Sequence, residues 1–264
     1  MPKIRSGDAE VVYEALGEGK PVVLLHPFPV HREFWKPVAD ALSQNYRLIL
    51  PDLRGHGDSE VGEGPATMEK HSEDLARVLD DAGVGRAIFV GVSIGGYVLW
   101  EFWRRYPERV AGLILADTKA QADTAEGRAG RLTAAANVLE LGTEPYFQSM
   151  LPKLMGQTTH RTRPDLVDAA HRMMQKMSAA DVSQVLQGMA QRSDSVATLK
   201  TIHVPTLVLV GKEDPLTPIG DAELMRQAIA GADLKVISRA GHYAPFEQAE
   251  EVGKLVRAFV ERVG

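Results

Sequence analysis

Gly91-Val92-Ser93-Ile94-Gly95 decides the reading of this chain. The short apolar run Ala87-Ile88-Phe89-Val90 precedes it, and an apolar helical stretch from Tyr97 to Tyr106 follows it. Strand, tight turn and helix in that order are what a G-x-S-x-G nucleophile elbow requires. Such a turn holds a serine in a strained backbone conformation with its hydroxyl exposed. Glycines two before and two after the serine remove side chains that would collide there. A helix that starts at the serine turns its dipole and free N–H groups toward developing negative charge. A glycine-rich turn without chemistry would carry the same five residues, so the partners of Ser93 decide between the two.

A serine nucleophile needs a base, and the base needs an orienting acid. In the order Ser, acid, His, both partners lie after Ser93. The apolar run Pro205 to Val210 reads as a strand, followed by the loop Gly211-Lys212-Glu213-Asp214-Pro215-Leu216-Thr217-Pro218. Leu234 to Ile237 reads as the next strand, followed by Arg239-Ala240-Gly241-His242-Tyr243. Side chains at the carboxyl ends of neighbouring parallel strands converge on one rim. Ser93, Asp214 and His242 can therefore meet although they are far apart in sequence.

The chain resembles the α/β-hydrolases along nearly its whole length apart from the middle. Leu24-Leu25-His26-Pro27-Phe28-Pro29 is similar to the family's HG-x-P oxyanion loop, and Pro51 to Ser59 to its D-x-R-G-x-G-x-S segment. The loop Gly211 to Pro218 is similar to the family's acid loop, and Gly241-His242 with Pro245 and Glu247 to its histidine loop. The resemblance implies an α/β fold: a mostly parallel central sheet flanked by helices, with a helical cap inserted after the sixth strand. It implies the triad Ser93, Asp214 and His242, with an oxyanion hole of the Phe28 and Ile94 backbone N–H groups. Pro27 stands where the family usually has glycine. Proline has no N–H, but the donor is the residue after it. Two rival acids are Glu213, beside Asp214, and Asp117, because some branches carry the acid after the sixth strand.

The composition fits one large domain. The chain has 264 residues, 44% hydrophobic and 25% charged, with a formal net charge of −5. The acidic balance and the lack of a basic block argue against nucleic acid. The polar start, Met1 to Glu10, is unlike a signal peptide, and no apolar stretch reaches membrane-spanning length. The absence of cysteine excludes disulfides and thiolate sites, and the eight histidines lack metal-ligand spacing. The expectation is a cytoplasmic enzyme without metal or cofactor and without membrane partner.

Along the chain, Lys3–Arg5 and Val11–Ala15 read as strands around a Ser6-Gly7-Asp8 hairpin turn. Val22–Leu25 and Arg47–Leu50 read as strands, and Trp35–Leu42 as a short helix. The next predicted helix runs from Thr67 to Ala82, with Thr67 as N-cap but without a capping box, and ends at Gly83. Val110–Leu115 reads as the sixth strand. From about 119 to 195 only helical periodicity remains, interrupted by Gly142, Pro145, Pro152, Gly156 and Pro164. The core would then be 1–118 and 196–264, with the cap at 119–195. Six of the nine methionines fall in that cap: Met150, Met155, Met173, Met174, Met177 and Met189. Flexible thioethers line an adaptable pocket or fill gaps between helices. Val252, Leu255, Val256, Phe259 and Val260 form the core stripe of a C-terminal helix.

Phe28, Tyr97 and Tyr243 are candidate substrate contacts by their nearness to the oxyanion loop, nucleophile and base. His26 and His56 read as loop-fixing residues, and Trp100, Phe102 and Trp103 as core. A serine nucleophile argues against the dehalogenase and epoxide-hydrolase branches, which use aspartate. Hydrolysis of small carboxylic esters through an acyl-enzyme is the first reading. Leu115 to Ala120, Thr124, Glu126 and the histidine loop are similar to the corresponding segments of 3-oxoadipate enol-lactonases, so a lactonase is an alternative. That chemistry needs a cation for the substrate carboxylate, with Arg128, Arg131, Arg161 and Arg163 as candidates. Perhydrolysis, carbon–carbon hydrolysis and a non-catalytic receptor on the same fold remain as further alternatives.

Overall fold

The computed structural model describes residues 1–263. Eight strands form one sheet: β1 (Lys3–Ser6), β2 (Ala9–Leu16), β3 (Lys20–Leu25), β4 (Tyr46–Pro51), β5 (Ala87–Val92), β6 (Val110–Ala116), β7 (Thr206–Gly211) and β8 (Asp233–Ile237). Their order across the sheet is β1-β2-β4-β3-β5-β6-β7-β8. The β1–β2 and β2–β4 pairs are antiparallel, and the rest of the sheet is parallel. Every residue of β5 and β7 is buried. That is expected of central parallel strands covered by helices on both faces, and it explains their unbroken apolar sequences. The outer strand β8 leaves Val236 41% exposed.

The flanking helices are α1 (Lys36–Leu42), α2 (Met68–Asp81), α3 (Ile94–Arg105), α10 (Ile219–Ala228), the short α11 (Ala244–Glu247) and α12 (Ala249–Arg262). Five helices lie between β6 and β7: α4 (Ala125–Leu141), α5 (Glu144–Leu154), α6 (Gln157–Thr162), α7 (Pro164–Met174) and α8 (Ala179–Ala190). The short α9 (Val196–Leu199) leads back to the sheet. Among the described residues, no helix is long and apolar enough to cross a membrane.

Local chemistry accounts for most boundaries. The β1–β2 hairpin pairs Ser6 with Ala9, so Gly7 and Asp8 form its turn, with Gly7 at φ +59°. The Thr67 hydroxyl accepts the Lys70 N–H at the start of α2, and Gly83 follows that helix at φ +64°. Ser178 and Asp181 form a reciprocal capping box on α8. Two details differ from the sequence reading. A 3₁₀ turn over Arg32–Trp35 feeds α1, so Trp35 precedes that helix rather than opening it. Pro152 lies inside α5 instead of interrupting it. The missing N–H leaves the Gln148 carbonyl without its helical donor, a single lost bond in the last turns of a helix that ends at Leu154. Val252, Val256, Phe259 and Val260 are buried on α12, with Leu255 partly so.

Candidate active site

β5 delivers Ser93 to the rim of the sheet, where the backbone reverses into α3. Ser93 has φ +53° and ψ −114°, a region costly to any residue with a side chain. Neighbouring bonds hold it there. Its N–H donates to the Ala116 carbonyl at 3.1 Å, and its carbonyl accepts the Thr118 hydroxyl at 2.8 Å. A Cβ on Gly91 would lie 2.7 Å from the Gly95 carbonyl carbon, and one on Gly95 would lie 2.8 Å from the Leu25 carbonyl oxygen. Glycine is therefore needed at both positions for close approach of backbone to backbone.

The loop after β7 carries Asp214, and the loop after β8 carries His242. His242 Nδ1 lies 2.8 Å from Asp214 Oδ2, and both side chains are buried. Asp214 Oδ1 accepts the N–H groups of Leu216 at 2.8 Å and Thr217 at 3.2 Å, and Oδ2 also accepts the Thr217 hydroxyl. Burial pushes the Asp214 carboxyl upward, but the His242 charge and these donors outweigh it and hold it below its ordinary value. An ionised Asp214 offers only acceptors, so Nδ1 of His242 carries the proton and Nε2 is left with a lone pair. Among the described residues, the hydrogen bonds that link the three side chains run between Asp214 and His242. Ser93 and His242 meet as walls of one cavity.

Both rival acids have other partners. Asp117, at φ +44°, accepts the Gly211 N–H at 2.7 Å, and its second oxygen is buried without a partner. Burial, reinforced by the Asp214 charge, raises its carboxyl well above the ordinary value. Glu213 accepts the N–H of Thr158 at 2.8 Å and the hydroxyl of the same residue.

The Ile94 N–H is one of the first four donors of α3, which have no partner within the helix. Phe28, on the loop that follows β3, lines the same cavity as Ser93, the residue before Ile94. His26 fixes that loop: its Nε2 accepts the Leu53 N–H at 2.9 Å, and its Nδ1 lies 3.0 Å from the Pro27 carbonyl. His56 Nδ1 lies 3.0 Å from the Arg54 carbonyl. Tyr243 does not reach the cavity. It is fully buried, stacks edge-on against Phe34, and donates its hydroxyl to the Phe28 carbonyl at 3.1 Å. It braces the loop that carries Phe28 from behind, because the turn into α11 points its ring inward.

The cavity has a volume of about 430 Å³. Phe28 and Tyr97 line it, as do Met150 and Met189 among the six methionines of the insertion. Met155, Met173, Met174 and Met177 pack in the core. Of the four arginines expected as candidates, Arg131 alone faces the cavity. Arg128 donates to the Ala190 carbonyl, and Arg161 and Arg163 are exposed. Lys119, from the Leu115–Ala120 segment, also lines the cavity, and several further wall residues carried no sequence signal: Asp123, Tyr146, Lys153 and Thr217. Thr217 sits in the Gly211–Pro218 loop, but nothing in sequence aims its hydroxyl at Asp214. The others depend on how the inserted helices pack, and α4, rich in alanine, has no apolar stripe to reveal its inner face. Among the described residues, no group of three or more His, Asp or Glu is arranged to hold a metal ion.

Residues 20–249 match the family model described as alpha/beta hydrolase fold. A thermophilic esterase from Thermogutta terrifontis, solved with malate bound, superposes with a TM-score of 0.96 at 37% identity, covering 99% of this chain and 98% of that one. The enol-lactonase from Burkholderia xenovorans LB400 superposes with a TM-score of 0.92 at 25% identity, covering 98% of this chain and all (100%) of that one. The 3-oxoadipate enol-lactonase 2 of Acinetobacter baylyi is 25% identical over 257 residues, which are 97% of this chain and 94% of that protein.

Proposed function

From the premise that the chain belongs to the alpha/beta hydrolase fold family, we propose that it is a serine hydrolase that cleaves small carboxylic esters through an acyl-enzyme. One observation carries the proposal: the strained Ser93 shares a cavity with His242, whose far nitrogen is held by Asp214 at 2.8 Å. The esterase and enol-lactonase relatives support the same chemistry.

In this reading, His242 Nε2 takes the Ser93 hydroxyl proton as Oγ attacks the ester carbonyl. Asp214 keeps the imidazole in the required tautomer and stabilises its protonated form. The oxyanion of the tetrahedral intermediate is held by the Ile94 and Phe28 N–H groups. His242 then gives its proton to the departing alcohol, leaving an ester on Ser93. Water deprotonated by the same imidazole hydrolyses that ester and restores the serine. A contact between Ser93 and His242 that tightens only once substrate is bound is common in unliganded sites. The insertion at 119–195 acts as the cap, since Tyr146, Met150, Leu186 and Met189 from its helices wall the cavity. A lactone is the cyclic case of the same reaction, and this second reading is favoured by the enol-lactonase relatives and by Arg131 in the cavity wall.

The test is hydrolysis of p-nitrophenyl esters of increasing acyl length by the wild type and Ser93→Ala. Short esters should turn over, and the variant should lose about 10⁶-fold in kcat, the scale seen on removal of a serine nucleophile. An inert wild type, or a variant that keeps its activity, refutes the reading.

A further inference from the structure

The cavity wall is positive in a protein whose net charge is −5. Lys119, Arg131 and Lys153 line it, against the single carboxylate of Asp123. That carboxylate is already neutralised from behind. Arg192 donates to Asp123 at 2.7 Å, gives its other hydrogen bonds to the Met189 and Gln121 carbonyls, and lies over the Tyr97 ring at 4.3 Å. With 4% of its side chain exposed, Arg192 is a structural cation. Arg131 donates Nε to the same Asp123 oxygen at 2.7 Å, so two guanidiniums share one carboxylate. The remaining contact recorded for Arg131 is a weak one, Nη1 to the Met189 sulfur at 3.5 Å.

A guanidinium has five N–H donors. Arg131 keeps most of them for the cavity, although only 24% of its side chain is exposed. A cation held among Tyr97, Tyr146 and Met189 with donors unspent is unfavourable unless something completes it. Lys119 and Lys153 form no ion pair among the described residues. A surplus of positive charge with free planar donors is complementary to a carboxylate.

We propose that the cavity holding Ser93 contains a carboxylate subsite, built on Arg131 and assisted by Lys119 and Lys153. Its substrates are then esters or lactones that carry a free carboxylate, such as half-esters of short dicarboxylic acids. This rests on the serine-hydrolase reading. About 430 Å³ is near the small end of ordinary ligand sites and suits a short diacid chain.

The experiment compares monoethyl succinate with ethyl butyrate, which differ in a terminal carboxylate against a methyl group. In the wild type at low ionic strength, kcat/KM for the half-ester should exceed that for the neutral ester by about tenfold or more, the scale of a charge-assisted hydrogen bond. About 0.5 M salt should reduce that ratio by screening. Arg131→Met should lower it by about tenfold. Lys153→Met, at an exposed position where folding is not at stake, should lower it by about two- to threefold. Succinate should inhibit p-nitrophenyl acetate hydrolysis competitively in the wild type, and more weakly in Arg131→Met.

A ratio near one that neither salt nor either variant moves, while neutral esters turn over, overturns the subsite and leaves the hydrolase reading standing. If no ester turns over, the hydrolase reading fails instead. Calorimetry of succinate with Ser93→Ala then decides the subsite separately: binding that weakens about tenfold in Ser93→Ala/Arg131→Met and about two- to threefold in Ser93→Ala/Lys153→Met supports it, and no heat with Ser93→Ala, or heat that neither variant changes, overturns it.

Discussion

Replacing Asp214 with Asn isolates the step on which the proposed chemistry depends. The carboxylate accepts four hydrogen bonds, two at each oxygen. In the variant the amide carbonyl stays with the Leu216 and Thr217 N–H groups, because an NH₂ there would meet two donors. The amide nitrogen therefore takes the place of Oδ2 and donates toward His242 Nδ1. That nitrogen must become an acceptor, so the ring proton moves to Nε2 and faces Ser93. A base with its lone pair turned away cannot take the hydroxyl proton. The expected loss in kcat is about 10⁴-fold, or about 5 kcal/mol in the barrier. The fold should survive, because the surrounding bonds keep their geometry.

Asp117→Asn is the matched comparator, since Asp117 was the alternative acid. Its carbonyl oxygen can still accept the Gly211 N–H, and among the described residues no hydrogen bond joins this side chain to Ser93 or His242. That variant should stay within about tenfold of wild type in kcat. The assay is turnover of p-nitrophenyl acetate beside thermal melting of all three proteins. Should Asp214→Asn retain more than a few per cent of the activity, or should Asp117→Asn suffer the larger loss, the assignment of the acid is wrong.

Two further outcomes concern stability. Burial lowers the pKa of His56 to about 4 and those of His26 and His71 well below 6.5. In the unfolded chain these imidazoles take up protons near pH 6.5 while the native ones stay neutral, so stability is full above that value and falls as pH drops through it. His56 alone should remove about 3 kcal/mol between pH 6.5 and 4. Urea midpoints measured across that range should decline steadily, and a constant midpoint would falsify this account. Gly188 lies inside α8, where helix propensity favours alanine by about 0.5–1 kcal/mol. An added Cβ would nevertheless collide with the Ala66 carbonyl, a backbone group fixed by the Ala66 N–H bond to Gln184 at 3.0 Å. Gly188→Ala should therefore lower the melting temperature, at a cost of about 1–3 kcal/mol; a rise in melting temperature would show that propensity wins.

The sheet was legible because its information is local. Ala87 to Val92 and Thr206 to Gly211 are apolar without alternation, and only burial on both faces gives that pattern. The Gly91–Gly95 turn has a steric requirement that sequence states directly, and the loops after β7 and β8 carry the proposed acid and base at strand ends. The inserted helices were different. Their existence could be read from periodicity and from Gly142, Gly156 and Pro164, but their orientation could not. Arg131 and Arg128 are less than one turn apart on α4, yet one faces the cavity and the other the Ala190 carbonyl. Tyr243 lies away from the cavity for a related reason. Proximity in sequence to His242 says nothing about which way the ring turns, and here it turns into the core beneath Phe28.

Glu213 and Glu247 show what else sequence conceals. Glu247 accepts the Gly241 N–H on one oxygen at 2.8 Å and the Gly156 N–H on the other at 2.8 Å, together with the Thr159 hydroxyl. Glu213, adjacent to Asp214, accepts both donors of Thr158. One turn of the insertion, from Gly156 to Thr159, is thus fastened to the loops that carry Asp214 and His242. The segment just before that turn supplies Tyr146, Met150, Lys153 and Leu154 to the cavity wall. The cavity wall and the loops of the proposed acid and base are therefore held in register by two buried or half-buried carboxylates. Glu213, a rival acid in sequence, becomes in the fold a fastening between the inserted helices and the loop of the proposed acid.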